Sequence, residues 1–356
     1  MAATLTTRER VLRMIEHREA DRIPVTDSPW NSTVERWKRE GLGDTPWWRH
    51  FDLDRLVGLW ADTSPRWPEA VIEETDEWVV RRTSWGVTRR DWKLHGGVPE
   101  YLDFTITDAD AWAQAKPRLA PARDRVAWDR LDATFREARA DGAWIQAGFW
   151  FGFDVTHSHM VGTERVLMAL IEDPAWIVDM WNAQLDLCIA QFEMVWQAGY
   201  HFDAIRWPDD MGYKGTQFFS AQTYRELLKP VHRRAVAWAH AKGIKAELHS
   251  CGDIRPLIDD LIDIGIDVLN PLEVKAGMDP VDLKRRFGSR LCFHGGLNAA
   301  LFDRGMPQLL EQMRQVIPVM KQGGGYIASS DHSVPDSVSL AQFAEFVTEA
   351  KRLGAY

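Results

Sequence analysis

A chain of 356 residues, 45% hydrophobic and 27% charged, has globular proportions that exclude extended disorder; its length allows one large α/β barrel or two medium units. Its 43 Lys and Arg against 52 Asp and Glu leave a net charge of −9, the wrong sign for a general nucleic-acid binder. No apolar run approaches the roughly 20 residues of a membrane-spanning helix, and three cysteines (Cys188, Cys251, Cys292) are too few for a disulfide framework and suit a reducing cytoplasm.

The stretch Met1 to Arg22 is charged and helical in pattern, with no apolar signal-peptide core. Within it Thr6-x-x-Glu9 has the form of a capping box, followed by Val11, Leu12, Met14 and Ile15 at helical spacing. Arg22-Ile23-Pro24-Val25 reads as a short strand with Asp27 just past its end. From Pro46 to about Leu102 the chain is irregular and crowded with tryptophan, of which the whole sequence holds 18. Trp78-Val79-Val80 and Trp85-Gly86-Val87 predict a hairpin there, and a plausible strand at Arg55–Trp60 precedes it. This inserted Trp-rich segment is expected to roof a pocket.

The second half is rhythmic. Strands are expected at Ala143–Phe149, Asp203–Trp207, Ile244–Leu248, Asp267–Asn270, Arg290–Phe293 and Tyr326–Ser329. Between and after them lie helical patterns, among them Thr163–Glu172, Pro174–Ala198, Ala221–Lys242, Ile254–Ile264 and Leu340–Leu353. About eight short apolar runs alternating with helices predict a parallel sheet, closed as a (β/α)₈ TIM barrel spanning residues 1–356 as a single domain. A doubly wound open sheet is the rival, but no Gly-x-Gly-x-x-Gly or Walker-type loop supports nucleotide binding.

A barrel works at the C-terminal ends of its strands. Those ends carry Asp27, Phe149-Trp150, Asp209-Asp210, His249-Ser250-Cys251, Asn270 to Glu273, His294 and Asp331-His332. His249-x-Cys251 is the sharpest local pattern, because alternate strand residues point the same way and zinc prefers imidazole and thiolate. Glu273 and His332, at two further strand ends, would converge on the same mouth and complete a zinc site. Otherwise Glu273 is a salt-bridge partner of Lys275, and His332 a loop residue satisfied by Asp331. Of the adjacent Asp209 and Asp210, one is expected inward, orienting substrate or handling a proton, while the other caps the next element. His157-Ser158-His159 reads as structural or substrate-lining, and Cys188 and Cys292 as inert packing residues. Trp30, Trp150 and Trp207 lie near strand ends, where they could line an aromatic pocket.

The segments Arg8-Glu-Arg-Val-Leu, Asp21-Arg-Ile-Pro-Val, Pro208-Asp-Asp-Met-Gly, Leu248-His-Ser-Cys-Gly-Asp, Gly265 to Glu273, Phe293-His-Gly-Gly-Leu-Asn and Gly323-Gly-Gly-Tyr-Ile, in this order, resemble the uroporphyrinogen decarboxylase superfamily. The resemblance covers nearly the whole chain and points to the branch of zinc-dependent methyltransferases that serve corrinoid proteins. It implies a (β/α)₈ barrel, with His249 and Cys251 matching the His-x-Cys zinc motif. The family's usual third ligand is a Cys after the last strand, where this chain has His332 in Ser329-Ser-Asp-His-Ser-Val-Pro. The distantly similar cobalamin-independent methionine synthases place a ligating Glu shortly after their His-x-Cys, which supports Glu273.

The resemblance further implies a methyltransferase or demethylase, with Zn²⁺ acting on the atom that bears the methyl group of a small, aromatic or apolar substrate. Cobalamin would be the methyl acceptor or donor. No corrinoid-binding Asp-x-His-x-x-Gly segment occurs in this chain, so the cobalamin is expected on a separate corrinoid protein. A cytoplasmic location is expected, with room for a homodimer. The family's porphyrinogen-binding Arg-Gln-Ala-Gly-Arg is replaced by Thr26-Asp-Ser-Pro-Trp-Asn, which argues against uroporphyrinogen itself. The alternative is a metal-independent decarboxylase or lyase of a small carboxylic acid.

Overall fold

The computed structural model describes residues 5–93 and 99–356; Met1–Thr4 of the N-terminal stretch and residues 94–98 of the Trp-rich segment lie outside it. The strands in chain order are β1 (Leu56–Trp60), β2 (Ala70–Glu74), β3 (Trp78–Arg82), β4 (Val87–Trp92), β5 (Glu100–Phe104), β6 (Trp144–Gly148), β7 (Ala204–Pro208), β8 (Gly212–Tyr213), β9 (Thr216–Gln217), β10 (Lys245–His249), β11 (Val268–Asn270), β12 (Cys292–His294) and β13 (Tyr326–Ile327). Seven of them form one parallel sheet in the order β1-β6-β7-β10-β11-β12-β13. Residues 23–25 join its two edges. Val25 pairs in parallel with Ala328 just past β13, and on the other side its carbonyl accepts from the Asp54 N–H, at 2.8 Å, just before β1. Residues 23–25 thus extend a parallel seven-stranded sheet whose C-terminal ends lie on one face, the half-barrel arrangement of an α/β fold.

A buried charge cluster holds that junction. The Asp54 carboxylate, 1% exposed, accepts from Arg10 Nη1 and Arg22 Nη1, each at 2.5 Å, and from the Val25 N–H at 2.8 Å. Arg10 belongs to the first helix, Thr7–Ile15, which begins with the expected capping box. The Thr6 hydroxyl accepts from the Glu9 N–H, and Glu9 Oε2 accepts from the Thr6 N–H. Val11, Met14 and Ile15 are buried on that helix's inner side, so the cap, the apolar stripe and the charge cluster fix the helix against the first strand.

The predicted helix Ala221–Lys242 is broken into a short helix, a π-helical turn (Tyr224–Leu228) and the helix Lys229–Ala241. Pro230 explains this: it has no N–H for a carbonyl one turn back, and its ring crowds that turn, which widens. The Trp-rich segment is more ordered than its sequence suggests. The expected hairpin is β3–β4, set within an antiparallel sheet β2-β3-β4-β5. Cross-strand pairs hold it: Trp78 stands opposite Trp92, Arg90 lies over the Trp78 ring at 4.7 Å, and Arg90 reaches Glu100 at 2.6 Å. From the β3–β4 turn, Trp85 packs edge-on against Trp150, 5.0 Å away. Trp150 follows the C-terminal end of β6, so this sheet meets the barrel on the face where chemistry is expected.

Candidate active site

On that face a cavity of about 750 Å³ opens among the strand ends, lined among others by Asp27, Trp60, Arg206, Asp210, His249 and Cys251. His249 is the last residue of β10, Cys251 lies two positions beyond it, and Asp210 two beyond β7. His249 Nε2 stands 3.5 Å from Cys251 Sγ and 3.7 Å from Asp210 Oδ1, and one ligand atom from each of the three falls within 4.8 Å of the others. Ligands on a tetrahedral zinc, about 2.0–2.3 Å from the ion, stand about 3.3–3.8 Å from one another. The nitrogen, sulfur and oxygen donors fit that ion in kind, and the two distances from His249 Nε2 fit it in spacing.

The surroundings prepare His249 for such a role. The Asn270 amide nitrogen donates to the His294 carbonyl at 3.0 Å, which turns its Oδ1 toward His249 Nδ1, 2.5 Å away. Arg206 Nη2 also lies 3.2 Å from that nitrogen and from Asn270 Oδ1; with Nδ1 protonated toward Asn270, Nε2 presents its lone pair to Cys251 and Asp210. Burial and the neighbouring charge of Arg206 both push the imidazole pKa down, so the ring is neutral at physiological pH. The Cys251 thiol is pushed well up by burial, reinforced by the charges of Asp210 and Glu273. Asp154 lies behind this group with its carboxyl at about 7, raised by burial and by Asp210, while Trp150 Nε1 donates to it at 2.9 Å.

Beneath lies a second polar layer inside the barrel. Glu247 accepts from Gln146 at 2.5 Å, pairs with His294 Nδ1 at 3.0 Å, and meets Arg206 Nε at 3.4 Å. Burial pushes this carboxyl up, but His294, Arg206 and Gln146 outweigh it and hold the group at about 2. Asp27, hydrogen-bonded to the Ser330 hydroxyl at 2.6 Å, is raised by burial to about 6.

The residues expected from sequence part company here. His249 and Cys251 come together as expected, but the third group beside them is Asp210, in place of Glu273 or His332. Glu273 Oε2 accepts from the Gly252 N–H at 2.6 Å and its Oε1 meets Lys275 at 3.2 Å, so the carboxylate braces the His-x-Cys loop. His332 is exposed on the cavity wall, its ring 6.3 Å from that of Trp30. Asp209 is fully buried and does not reach the cavity. Its Oδ2 lies 2.8 Å from His232 Nε2, its Oδ1 accepts from the Asp154 N–H at 2.7 Å, and His232 reaches the Tyr224 hydroxyl at 3.2 Å. A β-carbon on Gly152, whose φ is +100°, would meet Asp209 Oδ2 at 2.4 Å. Asp209 thus ties the loop after β6 to the π-helical turn and leaves the adjacent Asp210 to face the cavity.

Trp207 is likewise buried, stacked on Phe151 at 5.4 Å, and does not line the cavity. Trp150 packs between Trp85 and His159. His157 stacks on Phe153 at 4.5 Å, and burial lowers both His157 and His159 to about 4, which suits packing residues. Cys188 and Cys292 are buried and do not line the cavity. The sequence reading missed Trp60, Arg206 and Glu247. Strand parity could have found the last: Glu247, His249 and Cys251 alternate along one face of β10 and its extension.

A curved parallel α/β sheet with polar groups gathered at the C-terminal ends of its strands defines the class. The family model of uroporphyrinogen decarboxylase matches residues 136–353, well over half of the chain, and the protein belongs to that family. Among solved structures the chain is similar to a methyltransferase from Methanosarcina mazei, at 15% identity and a TM-score of 0.64 over 98% of this chain and 99% of that one; at such identity the likeness shows the fold. No curated protein matches. Among the described residues, no helix is long and apolar enough to cross a membrane.

Proposed function

We propose that the protein is a zinc-dependent methyltransferase that moves a methyl group between a small methylated substrate and a corrinoid carried on a separate protein. The convergence of Asp210, His249 and Cys251 carries this reading, since His249 Nε2 stands at zinc-site spacing from both a sulfur and an oxygen donor, with all three within 4.8 Å. When bound there, Zn²⁺ supplies Lewis-acid polarisation of the oxygen, sulfur or nitrogen that bears the methyl group. The similarity to a methyltransferase fold agrees with it.

The chain's own residues then divide the remaining work. Asn270 fixes the His249 tautomer and ring direction. Glu247 holds the Arg206 guanidinium beside the site, where it keeps His249 neutral. Glu273 and the Asp209–His232 pair hold the two loops that carry Cys251 and Asp210. His332 and Trp30 stand on or beside the cavity wall, where they meet substrate. The Trp-rich segment supplies Trp47, Trp48 and Trp60 to the lining and serves as the partial roof.

The test is methyl transfer followed by the absorbance change of cobalt as reduced cobalamin becomes methylcobalamin, with methyl ethers, thioethers and methylamines as donors. Transfer that depends on added zinc is the expected result, and Asn270→Ala should reduce zinc affinity about 10- to 100-fold, as loss of a ligand's orienting partner does. Decarboxylation of a small acid by the metal-free protein, with no methyl transfer, would favour the lyase alternative.

A further inference from the structure

Trp60 occupies an unusual place. It ends β1 and points inward on the same face as Gly58, directly opposite Gly148 of β6. A β-carbon on Gly148 would lie 2.4 Å from two carbons of the Trp60 ring, and one on Gly58 would lie 2.7 Å from its Nε1. The indole therefore rests against bare backbone where two side chains would otherwise project into the barrel. It is nonetheless 60% exposed, and what it exposes lines the cavity that also holds Asp210, His249 and Cys251. So large an apolar surface turned into a concave site marks a place where a ligand is buried.

The neighbouring strand says what kind of ligand. Arg206 of β7 is the register partner of Gly148, so its side chain rises beside the indole and lines the same cavity. Its Nε faces Glu247 and its Nη2 faces Asn270 and His249 Nδ1, while Nη1 makes no hydrogen bond among the described residues. Indole faces also attract cations, and Asp27 and Asp210 line the same cavity, but the group standing next to this indole is the Arg206 guanidinium. An anion at the edge of a stacked ring meets Nη1 instead.

We propose that Trp60 and Arg206 form the substrate subsite for a planar aromatic ring bearing an anionic group, the ring stacked on Trp60 and the anion at Arg206. This deepens the methyl-transfer reading and rests on it for the identity of the cavity as a substrate site. Trp60 acts here in binding and specificity, and the two glycines act by leaving the ring its place.

Calorimetric binding to the full-length protein, without corrinoid, tests the subsite apart from any turnover. The probes are 3-methoxybenzoate, its saturated counterpart 3-methoxycyclohexanecarboxylate, uncharged anisole, and tetramethylammonium. The wild type should bind 3-methoxybenzoate at least tenfold more tightly than each of the others, a difference on the scale of one aromatic stacking contact. Trp60→Ala should lose the preference for the aromatic over the saturated acid, Trp60→Phe should keep part of it, and Gly148→Ala, which displaces the indole, should weaken binding while Trp60 remains. Thermal melts of the variants show whether each is folded, and Trp60→Phe keeps the test open if the alanine variant is not. Equal binding of the two acids by the wild type, an undiminished preference in folded Trp60→Ala, tighter binding of tetramethylammonium, or no binding of any probe at millimolar concentration overturns the subsite. Tight, Trp60-dependent binding without methyl transfer would instead uphold the subsite and count against the activity proposed above.

Discussion

Cys251→Ser is expected to lose most bound zinc, and methyl transfer with it. A thiolate gives the ion a negative charge and the soft sulfur donor that zinc prefers. A serine hydroxyl at the same position stays neutral near pH 7 and gives neither. Among the described residues three protein donors converge, His249, Cys251 and Asp210, and no other group within that cluster makes up the loss. The drop in affinity should exceed the 10- to 100-fold that follows loss of an orienting neighbour. Cys188→Ser and Cys292→Ser should keep the metal, because both thiols are buried in packing away from the cavity. Asp210→Ala should shed zinc as well, whereas His332→Ala should keep most of it, since His332 stands outside the cluster. Zinc content by atomic emission, measured on each variant after the same purification, checks the ranking. Equal zinc in Cys251→Ser and the wild type would refute the assignment of the ligands.

Asp54→Ala is expected to destabilise the fold by about 3–5 kcal/mol, the cost of removing one member of a buried ion pair, since Arg22 loses its carboxylate and Arg10 keeps only the more exposed Asp21. Two guanidinium groups depend on this carboxylate: Arg10, whose side chain is 4% exposed, and Arg22, at 18%. The Val25 N–H loses its acceptor as well. Against a total stability of about 5–15 kcal/mol for an ordinary protein, the loss is large. It falls where residues 23–25 join β13 to β1, so the sheet should part there first. Asp21→Ala removes a more exposed partner of Arg10 and should cost no more than about 1 kcal/mol. Urea denaturation of the two variants measures the difference; similar midpoints would show that the Asp54 cluster does not hold the junction.

The alternation of strands and helices in the second half was legible because the strands are short runs rich in apolar residues, three of them ending in His249, Asn270 and His294. Ile244–Leu248 was displaced by one residue from the observed Lys245–His249, and Thr163–Glu172 was matched end to end. The sheet β2–β5 was less legible. Its outer strand β2 is exposed at every position, so no apolar alternation marks it, and cross-strand pairs such as Trp78 with Trp92 cannot be seen along the chain.

At the site, His-x-Cys was readable because both ligands lie on one strand extension and share its parity. The third donor was not, because Asp210 and Cys251 meet only through the packing of β7 beside β10. Parity also explains the choice among tryptophans. Trp207 follows Arg206, which points inward, so Trp207 must point outward into the helix layer. Trp60 shares the inward parity of Gly58. Nothing local distinguishes Asp209 from Asp210 either; the difference lies in His232, which arrives from a helix that Pro230 has reshaped.

On the reading proposed above, Asp210, His249 and Cys251 hold one zinc ion. Metal analysis of the wild-type protein, purified without chelator and again after dialysis against a chelator and reloading, tests it directly. One zinc per chain, lost with the chelator and regained together with methyl transfer, is the predicted result. A protein that is free of zinc as purified, takes none up on reloading and still transfers methyl groups would contradict it.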